Sequence, residues 1–214
     1  MNTIISIPAL IALLSAVLLG SFLPKTQAAD RPNVVMIISD DQAWTDYGFM
    51  GHDCIETPFL DRLAAEGATY MRGYVPTALC RPSLATMATG RYAHDTLICG
   101  NDPTPPNDPE LRRRVIDHID TFPTLPKLLG EAGYVSLQTG KWWEGDPTAH
   151  GFTEGMTRGF PQPGGRHGDD GLKVGRQGID PIPAFIEGAV KADKPFFLWY
   201  APFMPHDPHT PPAD

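Results

Sequence analysis

Two adjacent carboxylates, Asp40 and Asp41, follow a continuous apolar run at residues 33–39. Neighbouring carboxylates repel each other unless a cation neutralises them, and their hard oxygen atoms suit Ca2+ or Mg2+. An ordinary turn with a helix cap is the alternative interpretation of the same pair. The pair therefore predicts a divalent-cation site if groups of matching chemistry lie nearby.

Cys80 lies two residues before Pro82, and proline fits the first turn of a helix. This spacing places Cys80 near a helix N-terminus, where the partial positive charge favours an anion. A nucleophile that attacks a sulfate or phosphate ester benefits from that position. A buried structural cysteine ahead of a helix is the alternative.

Lys141 and His206 each follow an apolar run, at residues 134–138 and 195–200 respectively. A lysine at a strand end can neutralise a bound anion, and a histidine there can protonate a leaving group. Taken singly, the lysine could be solvated and the histidine could belong to a polar loop. Their shared placement after strands is what favours a site.

Apolar runs typical of strands alternate with segments typical of helices. This order predicts an α/β fold with a mostly parallel sheet sandwiched by helices. In such folds the chemistry lies beyond the carboxyl ends of the strands, so one sheet edge would gather Asp40, Asp41, Lys141 and His206. The predicted strands are residues 33–39, 68–74, 134–138 and 195–200. The predicted helices are residues 57–67, 82–89, 121–130 and, with a break near Pro181 and Pro183, 172–192, and a long loop is expected at 144–171.

The composition of the 214-residue chain excludes some classes of function. Hydrophobic residues make up 42%, which is ordinary for a protein with a buried core. The net charge of -8 argues against a nucleic-acid partner, because the phosphate backbone would repel the chain. The one dense basic run, residues 112–114, is expected on a solvated face.

The first residues predict export. Residues 4–23 are almost wholly apolar and are followed by the small residues Ala28 and Ala29. This pattern predicts a signal peptide over residues 1–29 and a periplasmic or secreted protein, with an uncleaved anchor as the alternative. No later segment is long and apolar enough for a stable membrane partner to be expected.

The chain has three cysteines, and in an exported protein two of them can form a disulfide. We expect Cys54 to pair with Cys99. Cys80 would then remain as a thiol with another purpose.

Together these segments resemble the sulfatase family of the alkaline phosphatase superfamily. The resemblance extends over residues 31–212, so residues 30–214 are expected to be the N-terminal portion of a sulfatase catalytic domain with an alkaline-phosphatase-like fold. The stretch from Cys80 to Arg91 resembles the family signature, Cys-x-Pro-Ser-Arg followed by Thr-Gly-Arg. The other matching segments are PNVVMIISDDQ, TPFLDRLAAEG, GKW and PFFLWYAPFMPHDP.

The resemblance implies a sulfuric ester hydrolase whose nucleophile is formylglycine. In the family a formylglycine-generating enzyme oxidises the signature cysteine, here Cys80, and the hydrated aldehyde attacks sulfur to give a covalent sulfate ester. The hydrate then collapses and expels sulfate. The resemblance assigns a Ca2+ or Mg2+ ion to Asp40, Asp41 and the modified residue 80, sulfate contact to Lys141, and the leaving group to His206. Sulfated glycans are the substrate expected by analogy, and a sulfated small molecule is also compatible.

Three departures from the family pattern qualify these expectations. Leu84 stands where the signature has arginine, and the nearby Arg81 is expected to point differently. Trp143 stands where many sulfatases have histidine, and a glycine-rich loop with Arg166 and His167 is the predicted replacement for substrate binding. No second pair of metal ligands is found in the sequence, so a truncated and weakly active fragment is expected. The alternatives are a phosphodiesterase or phosphonate monoester hydrolase of the same superfamily, and an inactive remnant.

Overall fold

A sheet of parallel strands lies at the centre of the computed structural model, which describes residues 31–162 and 170–209. The order of its four strands is β1-β4-β2-β3, and every neighbouring pair is parallel. This confirms the predicted α/β class with a parallel sheet. The strands are β1 (Val34–Ile37), β2 (Val135–Gly140), β3 (Glu154–Gly155) and β4 (Phe196–Ala201).

Six α-helices accompany these strands within the described ranges. Several begin at proline, which tolerates the first turn because its missing N–H needs no partner there. Asp108 caps α4 by accepting hydrogen bonds from the backbone N–H groups of Glu110 and Leu111, both at 3.0 Å. The helices are α1 (Pro58–Glu66), α2 (Cys80–Thr89), α3 (Ala93–Thr96), α4 (Pro109–Ile119), α5 (Leu125–Glu131) and α6 (Pro181–Lys191), with 3-10 turns at Gly48–Met50 and Asp170–Lys173.

Helices cover both faces of the sheet. This arrangement is seen at β4, whose alternate residues pack into two different apolar clusters. Phe197 and Trp199 pack with buried residues of α2, whereas Phe196 and Leu198 pack with buried residues of α6. Successive side chains of a strand point to opposite faces. The predicted sandwich of sheet and helices is therefore present, and α2, which begins at Cys80, is anchored in the first cluster.

Several expectations about individual elements are wrong. Residues 68–74 do not form a strand; they are irregular with a turn at 71–72, and Tyr70 and Tyr74 are exposed. The predicted helix at 121–130 begins only at Leu125, because Thr124 occupies the N-cap position in an extended conformation. In the segment 172–192 the α-helix starts at Pro181, and a short β3 interrupts the predicted loop at 144–171.

The expected disulfide is also absent, since Cys54 and Cys99 are exposed free thiols. Each cysteine belongs to its own local turn. The backbone N–H of Cys54 donates to the His52 ring at 3.1 Å, and the Cys99 thiol donates to the Ala93 carbonyl oxygen at 3.5 Å. These separate turns fix the two residues without a covalent link.

Two predictions concern residues outside the described ranges. The signal peptide at residues 1–29 and the loop residues Arg166 and His167 are among them. Within the described parts of the chain, no helix has the length and apolar character needed to cross a membrane.

Candidate active site

The ends of β1 and β4 are held together beyond the regular sheet. The backbone N–H of Asp40 donates to the Met204 carbonyl oxygen at 3.0 Å, and Asp40 and Pro205 form an isolated parallel bridge. This bridge extends the pairing of β1 with β4 beyond the regular sheet. It places His206 beside the acidic pair, as the order of the strands predicts.

Lys141 reaches the same edge because Gly140 turns sharply at the end of β2. Gly140 has φ +74°, and a Cβ at this position would lie 1.9 Å from the Ala201 carbonyl oxygen, so only glycine fits. The backbone N–H of Lys141 donates to that oxygen at 2.7 Å. Its Nζ donates to Asp40 Oδ2 at 2.5 Å, with both side chains buried. Lys141 is therefore a buried partner of Asp40 rather than a solvated lysine.

Asp41 and His206 form the open side of the edge. Asp41 has φ 58°, and its side chain is 65% exposed. His206 Nε2 lies 3.6 Å from Asp41 Oδ2, while His206 Nδ1 contacts Asp207, 2.7 Å from its carbonyl oxygen and 2.9 Å from its Oδ1. Contact at Nδ1 fixes the ring so that Nε2 faces Asp41.

Ligand atoms of Asp40, Asp41 and His206 lie within 4.8 Å of one another, a spacing that could hold a metal ion. The two carboxylates provide the hard oxygen atoms that Ca2+ and Mg2+ prefer, so the residues present fit the predicted cation. The sulfur of Cys80 is not in this group of atoms. Its assignment as a metal ligand after modification stays a prediction.

Cys80 begins α2, behind Leu79 in an extended conformation. Its Sγ lies 3.5 Å from Asn101 Oδ1, which also accepts the backbone N–H of Arg81 at 3.2 Å. Cys80 opens onto a cavity of about 540 Å3. Four of the predicted site residues line this cavity: Asp40, Asp41, Cys80 and Lys141.

Two of the three departures from the family pattern, Leu84 and Trp143, occupy buried positions. Leu84 is 5% exposed and lines the cavity one turn after Cys80. Trp143 is fully buried, with its ring centroid 5.0 Å from that of His150. Both side chains belong to the apolar cluster beneath the cavity, where they add packing but no charge.

A charge network that was not predicted lies behind Cys80. Arg81 Nε lies 3.4 Å from Glu144 Oε2, and Arg112 Nη1 lies 2.5 Å from the same oxygen. The expected solvated position of Arg112 is wrong, because its side chain is only 14% exposed. Glu144 follows GKW directly, and that adjacency to a motif is the one signal that could have identified it.

Comparisons with known proteins identify the family of this chain. The sulfatase family model matches residues 32–214. N-acetylgalactosamine-6-sulfatase of Canis lupus familiaris is 31% identical over 238 residues, covering 93% of this chain and 44% of that protein.

Two solved structures are also similar. Ps i-CgsB in complex with k-i-k-neocarrahexaose has a TM-score of 0.65 and 27% identity, covering 83% of this chain and 46% of that chain. BT4656 in complex with its substrate D-glucosamine-2-N,6-O-disulfate has a TM-score of 0.62 and 25% identity, covering 85% and 36%. The chain thus spans about half the length of these relatives or less. Because the family model matches most of its residues, the chain belongs to the sulfatase family.

Proposed function

We propose that residues 30–214 carry the nucleophile and part of the metal site of a sulfuric ester hydrolase. The observation that carries this proposal is the single cavity lined by Asp40, Asp41, Cys80 and Lys141. Those residues come from three separate stretches of chain: Asp40 and Asp41 follow β1, Lys141 follows β2, and Cys80 begins α2. An anionic tetrahedral ester is the substrate type that such a set of groups suits.

Cys80 is the proposed site of the nucleophile, after conversion to formylglycine by a formylglycine-generating enzyme. It occupies the first position of α2, a helix of ten residues. The partial positive charge of a helix N-terminus stabilises an anion there. Sulfate bound against this end of α2 would lie next to residue 80, oriented for attack.

Lys141 and the acidic pair balance charge in the cavity. The Asp40 carboxylate is held by Lys141 Nζ, so the lysine ammonium is fixed at the cavity wall, where it can attract a sulfate oxygen. Asp40 and Asp41 would hold the divalent cation, Ca2+ or Mg2+. When bound, that cation polarises the sulfate oxygens and acidifies the attacking hydroxyl.

His206 is the proposed proton donor to the leaving-group oxygen. Its Nδ1 contacts Asp207, which leaves Nε2 at the open side of the edge, 3.6 Å from Asp41 Oδ2. General acid catalysis requires a proton within hydrogen-bond reach of the leaving atom. The half-buried ring supports this proposed role, because Nδ1 is held by Asp207 and Nε2 faces the open side of the edge.

Sulfated glycans are the proposed substrate class. Support comes from the relatives, one named N-acetylgalactosamine-6-sulfatase and one solved with a disulfated glucosamine. The cavity adds aromatic side chains, Trp44 and Tyr47, beside the acidic pair. An aromatic ring offers a sugar ring an apolar surface. The apolar leader of residues 1–29 further supports export to the periplasm or the outside, where such polymers occur.

The test is co-expression of the chain with a formylglycine-generating enzyme, followed by mass spectrometry of the peptide bearing residue 80. We expect the mass change of cysteine to formylglycine. In the same preparation we expect weak hydrolysis of an aryl sulfate. This activity should be lost in Cys80→Ala and retained in the matched control Cys99→Ser, whose thiol is exposed and outside the cavity lining. An aryl phosphate diester cleaved faster than the aryl sulfate would instead favour a phosphodiesterase or phosphonate monoester hydrolase.

A non-catalytic remnant is the second candidate, and the buried Leu84 favours it. Leu84 offers the cavity no charge at the position where the signature has arginine, and Trp143 offers none where many sulfatases have histidine. An unmodified thiol at Cys80 after co-expression, together with no turnover of either ester, would establish this candidate and reject the hydrolase.

A further inference from the structure

We infer that Arg81 is a positioning residue that holds Asn101 against Cys80 through a charge network, the brace, formed by Arg81, Glu144, Arg112 and Asp102. Arg81 and Glu144 are buried, Arg112 is mostly buried and Asp102 is half-exposed. A role of Arg81 in catalysis rests on the proposed function of Cys80. The positions of the brace residues follow from their contacts alone. The brace provides a guanidinium next to the nucleophile position in a chain whose signature carries Leu84 in place of arginine.

The centre of the brace is Glu144, whose side chain is 3% exposed. Its Oε2 faces Arg81 Nε at 3.4 Å and Arg112 Nη1 at 2.5 Å. Arg112 Nη2 also binds Asp102 Oδ1 at 2.8 Å. Two guanidinium groups and two carboxylates make the brace neutral as a whole. The buried members, Arg81 and Glu144, are paired with each other, as buried charges need to be.

The two arginines hold both sides of one short loop. Arg81 Nη1 donates to the Gly100 carbonyl oxygen at 3.3 Å, and Arg112 binds the side chain of Asp102. Asn101 lies between these two points. Its Oδ1 accepts the Arg81 backbone N–H at 3.2 Å and lies 3.5 Å from Cys80 Sγ. The loop at 100–102 is therefore fixed with its central side chain on the sulfur.

The direction of Arg81 separates positioning from substrate contact. The cavity is lined by Cys80, Ser83 and Leu84. Arg81 is not among the lining residues and is only 3% exposed. Arg81 therefore lies behind the nucleophile and reaches the sulfate only through Asn101 and Cys80. This agrees with the expectation that Arg81 points differently from the signature arginine.

The brace also joins the two stretches of chain that supply the cavity. Glu144 comes three residues after Lys141, whose Nζ binds Asp40, and Arg81 directly follows Cys80. A fixed distance between Arg81 and Glu144 therefore limits movement of Cys80 relative to Lys141. Such control matters because small misplacements of reacting groups lower rates strongly.

The test measures alkylation of the unmodified Cys80 thiol by iodoacetamide, followed by mass spectrometry of its peptide. If Arg81 acts by holding Asn101, then Arg81→Met and Asn101→Ala should each speed alkylation about fivefold, the factor corresponding to one ordinary hydrogen bond. The double variant should also be about fivefold faster, because both changes release the same side chain. Arg113→Met is the matched control, since Arg113 is 60% exposed, and it should leave the rate unchanged.

A merely structural role would make the two effects multiply, to about 25-fold in the double variant, and that result would overturn the inference. An unchanged rate in Arg81→Met would overturn it as well. If Arg81→Met does not fold, Glu144→Gln, which keeps the side-chain shape, replaces it with the same expected rates and the same contrary results. The alkylation assay needs neither formylglycine nor turnover. A contrary alkylation result would therefore overturn the brace without contradicting the proposed hydrolase. Absence of sulfatase activity would contradict the proposed hydrolase without contradicting the brace.

Discussion

Two histidine–aspartate pairs in the described structure have nearly the same geometry but different surroundings. His150 Nδ1 lies 3.0 Å from Asp120 Oδ1, and His206 Nδ1 lies 2.9 Å from Asp207 Oδ1. The His150 side chain is 1% exposed beside Trp142 and Trp143, whereas that of His206 is 24% exposed. Burial lowers the pKa of His150, although the Asp120 charge acts in the opposite direction. The same histidine–aspartate contact therefore belongs to the buried core at His150. At His206 it lies at the partly exposed edge of the site, where Nε2 faces Asp41.

Asp40 and Asp41 show the same contrast between neighbours in sequence. The Asp40 carboxylate is buried on Lys141, and Lys141 Nζ also lies 4.7 Å from the centre of the Phe203 ring. The Asp41 carboxylate is mostly exposed and faces His206. The sequence presents an equivalent pair, but the structure gives one carboxylate a fixed cationic partner and leaves the other accessible to ligands.

The largest effect is expected from breaking the Asp40–Lys141 pair. Lys141→Met removes the ammonium and leaves the buried Asp40 carboxylate without its cation. Removing one partner of a buried ion pair costs about 3–5 kcal/mol, and we expect the free energy of unfolding to fall by that amount. Urea denaturation in the presence of a metal chelator measures it, because a bound cation would otherwise replace the ammonium.

Asp41→Asn is the matched control for this comparison. An exposed ion pair contributes about 0–1 kcal/mol, so this variant should unfold within about 1 kcal/mol of the parent. Equal losses in Lys141→Met and Asp41→Asn would show that the two carboxylates do not differ as their burial indicates.

A smaller loss is expected when the histidine of many sulfatases is restored by Trp143→His. Trp143 is fully buried in the apolar cluster, so the substitution empties part of the core and buries a polar ring. Truncating a buried tryptophan to alanine costs about 3–5 kcal/mol, and the smaller change to histidine should cost about 3 kcal/mol. Thermal or urea unfolding measures the loss. A variant as stable as the parent would show that the apolar cluster tolerates a polar group at this position.

Sequence patterns identified the residues that line the cavity more completely than the charge network behind Cys80. Asp40, Asp41 and Lys141 were predictable because each follows an apolar strand run, and a parallel sheet aligns strand ends at one edge. Cys80 was predictable because Pro82 marks the start of a helix. In each case a local pattern is enough to fix the position of the residue.

The charge network behind Cys80 could not be predicted in this way, because it depends on contacts between residues that are distant in sequence. Arg112 belongs to a run of three arginines that looks solvated, yet its partner Glu144 is 32 residues away. Residues 68–74 carry strand-forming side chains but have no neighbouring strand in the described sheet. The Cys54–Cys99 pairing failed for a related reason, because counting cysteines carries no information about the turns that hold each of them.

The smallest expected effect is on the pH dependence of stability. The comparison here is between the buried His150 and the exposed His94. Burial holds the pKa of His150 below its ordinary value of 6.5, despite opposition from Asp120. The unfolded chain therefore binds a proton at this residue more readily than the folded chain. The contribution of His150 to the free energy of unfolding is fully present above pH 6.5. It falls as the pH decreases from there towards the pKa of His150 in the folded chain.

His150→Gln removes this titration, so the decline in unfolding free energy between pH 7 and about pH 5 should become shallower. His94→Gln is the matched control, because the His94 side chain is 77% exposed, and it should keep the slope of the parent. Urea midpoints across this pH range measure both slopes. Asp120→Asn sharpens the comparison, since it removes the charge that raises the His150 pKa and should therefore steepen the decline. If His94→Gln changed the slope more than His150→Gln, exposure rather than burial would govern the coupling of these histidines to folding.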